Sequence, residues 1–590
     1  MTLYIDNTFG SKVAQFMVLV TDANLEIRDN HTISNVALPA IELSRVNNLL
    51  ASGLCHVTRQ IVKDAINSER DKNKKNCLES YLGYKQNCLK ACAAVSSWTK
   101  FCEVDFPIAV KKLKKQLVDV EAHITLPDAF VKLEKEFLVI KKTPNVTKYF
   151  SGRKKDLYSI RDNVKLSCEN TFHSLHSVVA ALGLKTVCTC KSSNKLLENI
   201  NDEMLNIKSN EDINWPYLCG LTITIADLII FAVMWEFLFV MLPCSASLEQ
   251  FFKKLPQTYK WFLRCASHPG VLPAACNVYK LRETSCACSN SVKCFSFPNG
   301  HEILKHVSFE EKASNPKQMH IKITKSLPRI LDTLQYHKIN PSFNNDEPFT
   351  SIPWEKLPSG VNPAEGELKE QRALRKRQQI ENMASRVLPQ IRSGDEVVDF
   401  CAGGGHLGIV IAFLRPACHV TLLENKEESI DRALSRIRKL SLTNISVVLS
   451  NLEYFCGNFN VGVTLHACGS ATDLVLAKCL KMRASFVVCP CCYGSIRPTE
   501  NITYPKSKKY QCLEEDDYFL LARSADQTSS NFDSDYSKQG KNSMLLIDHD
   551  RMMHAVEESR YDTRIYSMIP ETCSPKNNLL VGSILKNSEL

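Results

Sequence analysis

Residues 396–408 read EVVDFCAGGGHLG, a short apolar run that breaks into three consecutive glycines and resumes as GIVIAFLR through residue 415. A strand, a glycine turn and a helix in that order form the setting of a Rossmann-type cofactor loop. Glycine lets backbone approach a ligand with no side chain in the way, so Gly403 and Gly405 are the expected loop contacts. Asp399 ends the strand, where its carboxylate can accept from a ligand ammonium directly or through water. One helix and one strand later, the run His419 to Leu423 ends in Glu424, suited to accepting both ribose hydroxyls of an adenosine. The same charge disfavours a 2′-phosphorylated cofactor. A third strand, Ile445 to Leu449, precedes Asn451 and Leu452, expected at the adenine edge and face.

The glycine loop alone does not separate a dinucleotide from S-adenosylmethionine (SAM). Two later strands carry more. Val461 to Leu465 ends in His466-Ala467-Cys468-Gly469, and Phe486 to Cys489 ends in Pro490-Cys491-Cys492-Tyr493-Gly494. Both polar clusters fall at the carboxyl ends of strands, where open sheets bind ligands. CAGGGHL (401–407), LHACG (465–469), CCYG (491–494) and TCSPKNNLLVG (572–582) together resemble the class I methyltransferase-like domain of eukaryotic tRNA 2′-O-methyltransferases of the position-four type. Cys401 replaces the usual first glycine, Gly404 the usual lysine and Gly494 a histidine. The resemblance implies a Rossmann-like SAM domain over residues 365–590. Its cofactor residues would be Asp399, Gly403, Gly405, Glu424, Asn451 and Leu452, and its substrate an RNA methylated on a 2′-oxygen or a base.

Three residues are the catalytic candidates. His466 lies where the methyl group would project, and an imidazole suits general-base work near neutral pH. Cys491, beside Cys492, invites comparison with thiolate attack on a pyrimidine. Tyr493 has a ring that stacks on a base. His466, Cys468, Cys491 and Cys492 are also a donor set that tetrahedral zinc accepts, but sequence supplies no distances and no metal is assigned.

The amino-terminal half reads differently. Thr224-Ile225-Ala226-Asp227 is a capping box before a helix that is apolar almost all round, with Ile223 at the staple position against Leu228. A second helix is expected over 245–264, divided by Pro256. LTITIADL (221–228) and LPQTYKWFLRCASHPG (255–270) resemble the all-helical C-terminal domain of glutathione transferases. That implies an all-helical domain over 116–305. Residues 1–115 are read as an α/β region, a degenerate thioredoxin-like unit, with a strand at 13–20, another at 33–43 interrupted at Pro39, and a helix at 49–66. Cys55 is a tempting thiol, but it lies past the turn where glutathione transferases keep theirs. Cys88 and Cys92 are expected on one helix face. The Cys-x-Cys pairs at 188/190 and 286/288 are weak metal signals.

The 590 residues are too many for one core, so the chain is read as multidomain. A proline-rich linker at 306–364 separates the halves. The net charge of +10 permits a nucleic-acid partner without demanding one. RNA contacts are expected along the basic helix 366–392 and over 495–510, where Tyr504 and Tyr510 accompany Lys506, Lys508 and Lys509. A strand is expected at Met544 to Ile547, after a disordered 524–541. The 25 cysteines are read as reduced and mostly buried, in a cytoplasmic protein without a membrane span. Three readings stay open: a SAM-dependent methyltransferase, a non-catalytic scaffold whose helical half recruits a protein, and a glutathione transferase.

Overall fold

A computed structural model describes residues 1–29, 35–44, 49–90, 98–118, 123–137, 216–220, 222–238, 245–279, 294–296, 316–344, 351–363, 369–499, 501–528 and 534–584. They form two bodies, one from Met1–Thr32, Leu38–Ile41 and Gly53–Glu310, the other from Ile33–Ala37, Glu42–Ser52 and Glu311–Leu590.

In the first body, β1 (Thr2–Ile5) is followed by α1 (Phe9–Thr21) and then β2 (Glu26–Asp29), which pairs with β1 in parallel. The strand expected at 13–20 is therefore part of α1. Val13, Ala14, Phe16 and Met17 are fully buried, a spacing that suits one face of a helix. Its β-branched residues gave the run the look of a strand. After the cis Leu38–Pro39 peptide comes β3 (Ala40–Ser44), and β4 (Leu49–Ser52) belongs to the second body. The helix expected at 49–66 begins only at Leu54, as α2 (Leu54–Ser68).

The helices α3 (Lys72–Tyr81), α4 (Phe106–Val118) and α5 (Asp128–Glu136) follow, with β5 (His123–Thr125) pairing in parallel with β6 (Cys294–Ser296). The described part of 116–305 is thus helical but not purely so. Cys88 lies in a turn rather than on a helix. Cys92, Cys188, Cys190, Cys286 and Cys288 lie outside the described residues.

The centre of this body is α6 (Ile225–Glu236), every residue of which is buried. Thr224 and Asp227 form the capping box. Asp227 Oδ1 also accepts from Leu218 N at 2.8 Å and Trp261 Nε1 at 2.9 Å. Two helices replace the divided one expected at 245–264: α7 (Ser245–Lys254) and α8 (Pro256–Ser267). Proline is tolerated at the first helical position because its missing N–H would have no partner there. Glu134 accepts from Gln257 N and Thr258 N, both at 2.7 Å, and so caps α8 from α5. Phe262 of α8 stacks on Phe231 of α6 at 4.8 Å between centroids. The last helix among the described residues of this body is α9 (Val271–Tyr279).

After β4, the next described element of the second body is α10 (Pro316–Tyr336), inside the stretch expected to be linker. Ile323, Leu327, Ile330 and Leu334 at helical spacing join a core with Tyr493, Tyr510, Tyr518 and Ile547. This apolar stripe, thin among polar residues, was hidden by the prolines that follow it. Next come α11 (Glu370–Val387), β7 (Glu396–Phe400), α12 (His406–Leu414), β8 (His419–Glu424), α13 (Glu427–Lys439), β9 (Ile445–Leu449), β10 (Val461–Cys468), α14 (Ser470–Met482) and β11 (Ser485–Cys491). They are followed by α15 (Glu515–Ala525), α16 (Asp535–Ser559), β12 (Tyr561–Ser567) and β13 (Asn578–Ile584).

The strand expected at Met544 to Ile547 is thus an interior turn of α16. Its four apolar residues are buried on more than one side of the helix, so no periodicity betrayed it. Helix also occupies much of 524–541.

The sheet runs β12-β13-β11-β10-β7-β8-β9-β4. Strands β7 to β11 pair in parallel, β13 is antiparallel to β11 and β12, and β4 adds in parallel to β9. Strand order reverses at β7, whose neighbours are β8 and β10. That reversal opens a crevice beyond the carboxyl ends of the strands, the usual ligand position in open α/β sheets. Among the described residues no helix is long and apolar enough to cross a membrane.

Candidate functional site

The turn from β7 to α12 is built at left-handed backbone angles. Cys401, Gly403 and Gly405 have φ of 56°, 56° and 70°. Gly405 needs its missing side chain for a second reason: a Cβ would stand 2.8 Å from Leu422 and 3.2 Å from Ala433. At Gly403 a Cβ would meet nothing within 4 Å, so the space above that residue is open. The Gly403 N–H donates to Glu424 Oε2 at 2.8 Å, while Glu424 Oε1 accepts from Asn425 N and Lys426 N. Two of the expected cofactor residues thus touch, from the ends of adjacent strands.

Asp399 is buried and accepts from Gly408 N at 2.9 Å, in the first turn of α12. Burial pushes its carboxyl up to about 7 and the Glu424 charge adds to the rise, against the Gly408 bond and the Lys376 ammonium. Asn451 accepts from Asn425 Nδ2 at 3.1 Å, and half-buried Leu452 begins the short turn after β9.

Several positioning groups were not anticipated. Arg436 of α13 is buried and donates to the carbonyls of Gly360, Val361 and Gly404. Its Nη1 also reaches His406 Nδ1 at 2.8 Å. Burial, with the arginine charge, lowers the His406 pKa to about 3. The ring is therefore neutral, its Nδ1 accepts, and the glycine loop is pinned from below. Lys376 is another. Burial lowers its pKa, and the charges it senses include Arg372, Asp399, Cys489 and Cys573. The signal was present: Ala373, Ile380, Met383 and Val387 form the buried stripe of α11, and Lys376 falls on it at helical spacing. It was instead counted with the surface charge.

Position 466 is a bulge. The pairing of β10 with β11 runs Leu465↔Cys489, then Ala467↔Pro490, so one residue of β10 is extra. His466 has a φ of 75°, and its Nε2 lies 3.0 Å from Gln379 Oε1. An amide oxygen only accepts, which assigns the ring proton to Nε2. Burial, then Lys376, lowers the His466 pKa to about 4. Gln379 is held in turn by its Nε2 donating to Cys573 O at 2.8 Å.

The other catalytic candidates need correction. Tyr493 is fully buried and donates to Asp548 Oδ2 at 2.7 Å. Asp548 and Asp473 both pair with the buried Arg551, so Tyr493 anchors a core network and has no face for a base. Cys491 is only 9% exposed, and its thiol is pushed up, first by the hydrogen bond to Cys468 and then by burial. The bond from Cys491 draws Cys468 down, to about 6. The Cys468 and Cys491 sulfurs are 3.0 Å apart, and Cys492 Sγ is 3.5 Å from Cys468 Sγ. His466 is not part of this group, in which sequence had included it.

The 495–510 region also differs from expectation. Tyr504 and Tyr510 are buried, with hydroxyls on Asp473 and His549, so they offer no stacking platform. On α11, Arg377 donates to Asn362 and Arg386 stacks over Tyr566, while Arg372 and Arg375 are exposed. In the first body, Cys55 is fully buried and its thiol is pushed well up by burial, which rules it out as an accessible nucleophile. A cavity lined by Glu42, Ser44, Leu50, His419 and Ser446 lies toward the amino end of β8, away from the glycine loop.

A family described as a methyltransferase domain matches residues 375–499. A solved putative S-adenosyl-L-methionine-dependent methyltransferase from Methanococcus maripaludis is similar at 13% identity and a TM-score of 0.24, covering 42% of this chain and 99% of that one. Over nearly the whole length, the chain is 34% identical to a Homo sapiens glutathione S-transferase C-terminal domain-containing protein, covering 96% of this chain and 89% of the relative. It is 30% identical to the Drosophila melanogaster homolog, covering 98% and 92%. With a helical, glutathione-transferase-like first body and a methyltransferase-like second one, the chain belongs to the family of glutathione S-transferase C-terminal domain-containing proteins.

Proposed function

We propose that the second body binds SAM at the crevice between β7, β8 and β10 and transfers its methyl group to an RNA. One observation carries the cofactor reading: the 2.8 Å bond from Gly403 N to Glu424. It joins a glycine with open space above it to a carboxylate with one acceptor site left over, on Oε2, beside the buried Asp399. A cationic amino-acid moiety fits the acidic floor, and an adenosine ribose fits Glu424. Exposed Arg372 and Arg375 supply charge for a phosphate backbone. His466 Nδ1, left as the acceptor nitrogen, would orient the attacking oxygen.

A second reading, cofactor binding without catalysis, draws support from Tyr493 and Cys491, both withdrawn into the core. The first body would then recruit a protein partner, and its α/β start would serve as a thioredoxin-like scaffold.

Calorimetry of the full chain with SAM tests the first step. Micromolar binding that is lost in Glu424→Ala supports it, whereas no heat with SAM or S-adenosylhomocysteine sinks it. Tritiated-methyl transfer to total small RNA tests the second step. Tight SAM binding with no label on any RNA or protein fraction selects the non-catalytic reading.

A further inference from the structure

We propose that Cys468, Cys491 and Cys492 form a binding site for one soft divalent cation, Zn²⁺ in the first instance, at the carboxyl ends of β10 and β11. The three sulfurs lie within 4.8 Å of one another. Zinc–thiolate bonds of about 2.3 Å in a tetrahedral arrangement set sulfurs roughly 3.8 Å apart. The separations of 3.0 Å and 3.5 Å need only a small outward adjustment to reach that value. Among the described residues, no other group of three metal-ligating side chains comes together in this way.

The backbone explains why these three meet. Without the bulge at His466, Cys468 would face Cys492 across the parallel pair. The extra residue moves the register by one, so Cys468 pairs with Cys491 and their side chains share one face. Cys492 then turns at a φ of 49°, which folds its sulfur back toward Cys468. Cys468 and Cys492 are exposed, so packing does not account for them as it does for the buried cysteines of the core.

Three thiolates and an open fourth position facing solvent are the ligand set of a reactive zinc centre rather than a closed structural one. Thiolates select soft or borderline ions over Mg²⁺ and Ca²⁺. Binding exchanges the thiol protons for the metal: one Zn²⁺ enters and each protonated thiol releases one proton. His466 stands outside the set of clustered ligand atoms, with its Nε2 on Gln379. The site does not depend on the cofactor reading and is tested without SAM.

The test uses the full chain, reduced and stripped of metal, titrated with Co²⁺ alone. The expected result is thiolate-to-cobalt charge transfer in the near ultraviolet, with visible bands of tetrahedral cobalt. One equivalent of Co²⁺ per chain should belong to the cluster, bleached by Zn²⁺. Cys492→Ser, at an exposed turn, should keep the native circular dichroism and weaken that equivalent at least tenfold. Cys468→Ser should do the same. Undiminished cobalt spectra in both folded variants would assign the metal to other cysteines and overturn the proposal. So would a reduced, folded wild-type chain with no cobalt bands, or a Cys468–Cys491 disulfide as the resting state in protein alkylated without reduction.

Discussion

Asp227 in the first body and Asp399 in the second are both buried carboxylates at the start of a helix, yet they use their acceptor capacity differently. Asp227 accepts from Leu218 N, Thr224 N, Thr224 Oγ1 and Trp261 Nε1. Those four donors fill its lone pairs. Glu134 at the start of α8 and Glu424 at the end of β8 each accept three bonds and stand between the two extremes. Asp399 accepts one, from Gly408 N, and shares its surroundings with a second carboxylate, Glu424. A saturated acid holds the fold together. An acid with unused lone pairs beside another acid is costly in itself, and a bound cation would offset that cost. The contrast separates architecture from binding more sharply than burial does, since both aspartates are almost completely buried.

Asp227→Ala is the hardest blow to the comparison. It removes the capping box, worth about 1 kcal/mol, and leaves the buried Trp261 indole N–H unpaired at about 1–3 kcal/mol. A loss near 3 kcal/mol is expected in urea unfolding followed by tryptophan fluorescence, with SAM affinity unchanged. Asp227→Asn should recover at most half, because its amide faces donors on one side. If Asp227→Ala unfolds like the wild type, saturation is not what marks an architectural acid.

The converse holds for the second body. Asp399→Asn and Glu424→Gln should each weaken SAM roughly 10- to 100-fold by calorimetry, equivalent to about 1.4–2.8 kcal/mol. Asp399→Asn should change the unfolding midpoint little, since a poorly compensated buried acid is being neutralised. A large fall in stability with intact SAM affinity would move Asp399 into the same class as Asp227.

The acid pair also predicts a pH dependence. With Asp399 at about 7 in the ligand-free protein, a cationic ligand binds the deprotonated form. Affinity should therefore fall as pH drops, by about tenfold between pH 8 and pH 6, and level off above pH 8. Asp399→Asn should flatten the profile. A profile of the same shape in that variant would assign the titration elsewhere.

What could be read from sequence follows the same division. Asp399, Gly403, Gly405 and Glu424 were legible because strand, turn and helix succeed one another with no long-range help. The capping box at Thr224 was legible for the same reason. Short apolar runs were not: VAQFMVLV and MLLI are helical here, and without flanking turn signals such runs suit either state. The cysteine trio depends on a one-residue bulge at His466, and nothing local to that histidine announces it. Tyr493 looked like a site residue because it follows two cysteines, but its burial is decided by α10 and α16, far away in sequence.

The smallest effect tests the glycine loop itself. Gly403 has a φ of 56° and open space at its missing Cβ, while Gly405 has a φ of 70° and Leu422 at 2.8 Å. Alanine at Gly403 meets no neighbour, so its cost is the left-handed backbone alone, about 1 kcal/mol. Alanine at Gly405 adds a clash with Leu422 and Ala433 to the same backbone cost, and should destabilise more. If the open space belongs to a ligand, the order reverses for SAM: Gly403→Ala places a methyl group where the cofactor approaches and should lower affinity more than it lowers stability. Equal, small effects of Gly403→Ala on both quantities would mean that this glycine serves only the turn, leaving Glu424 with a structural partner and no ligand to share.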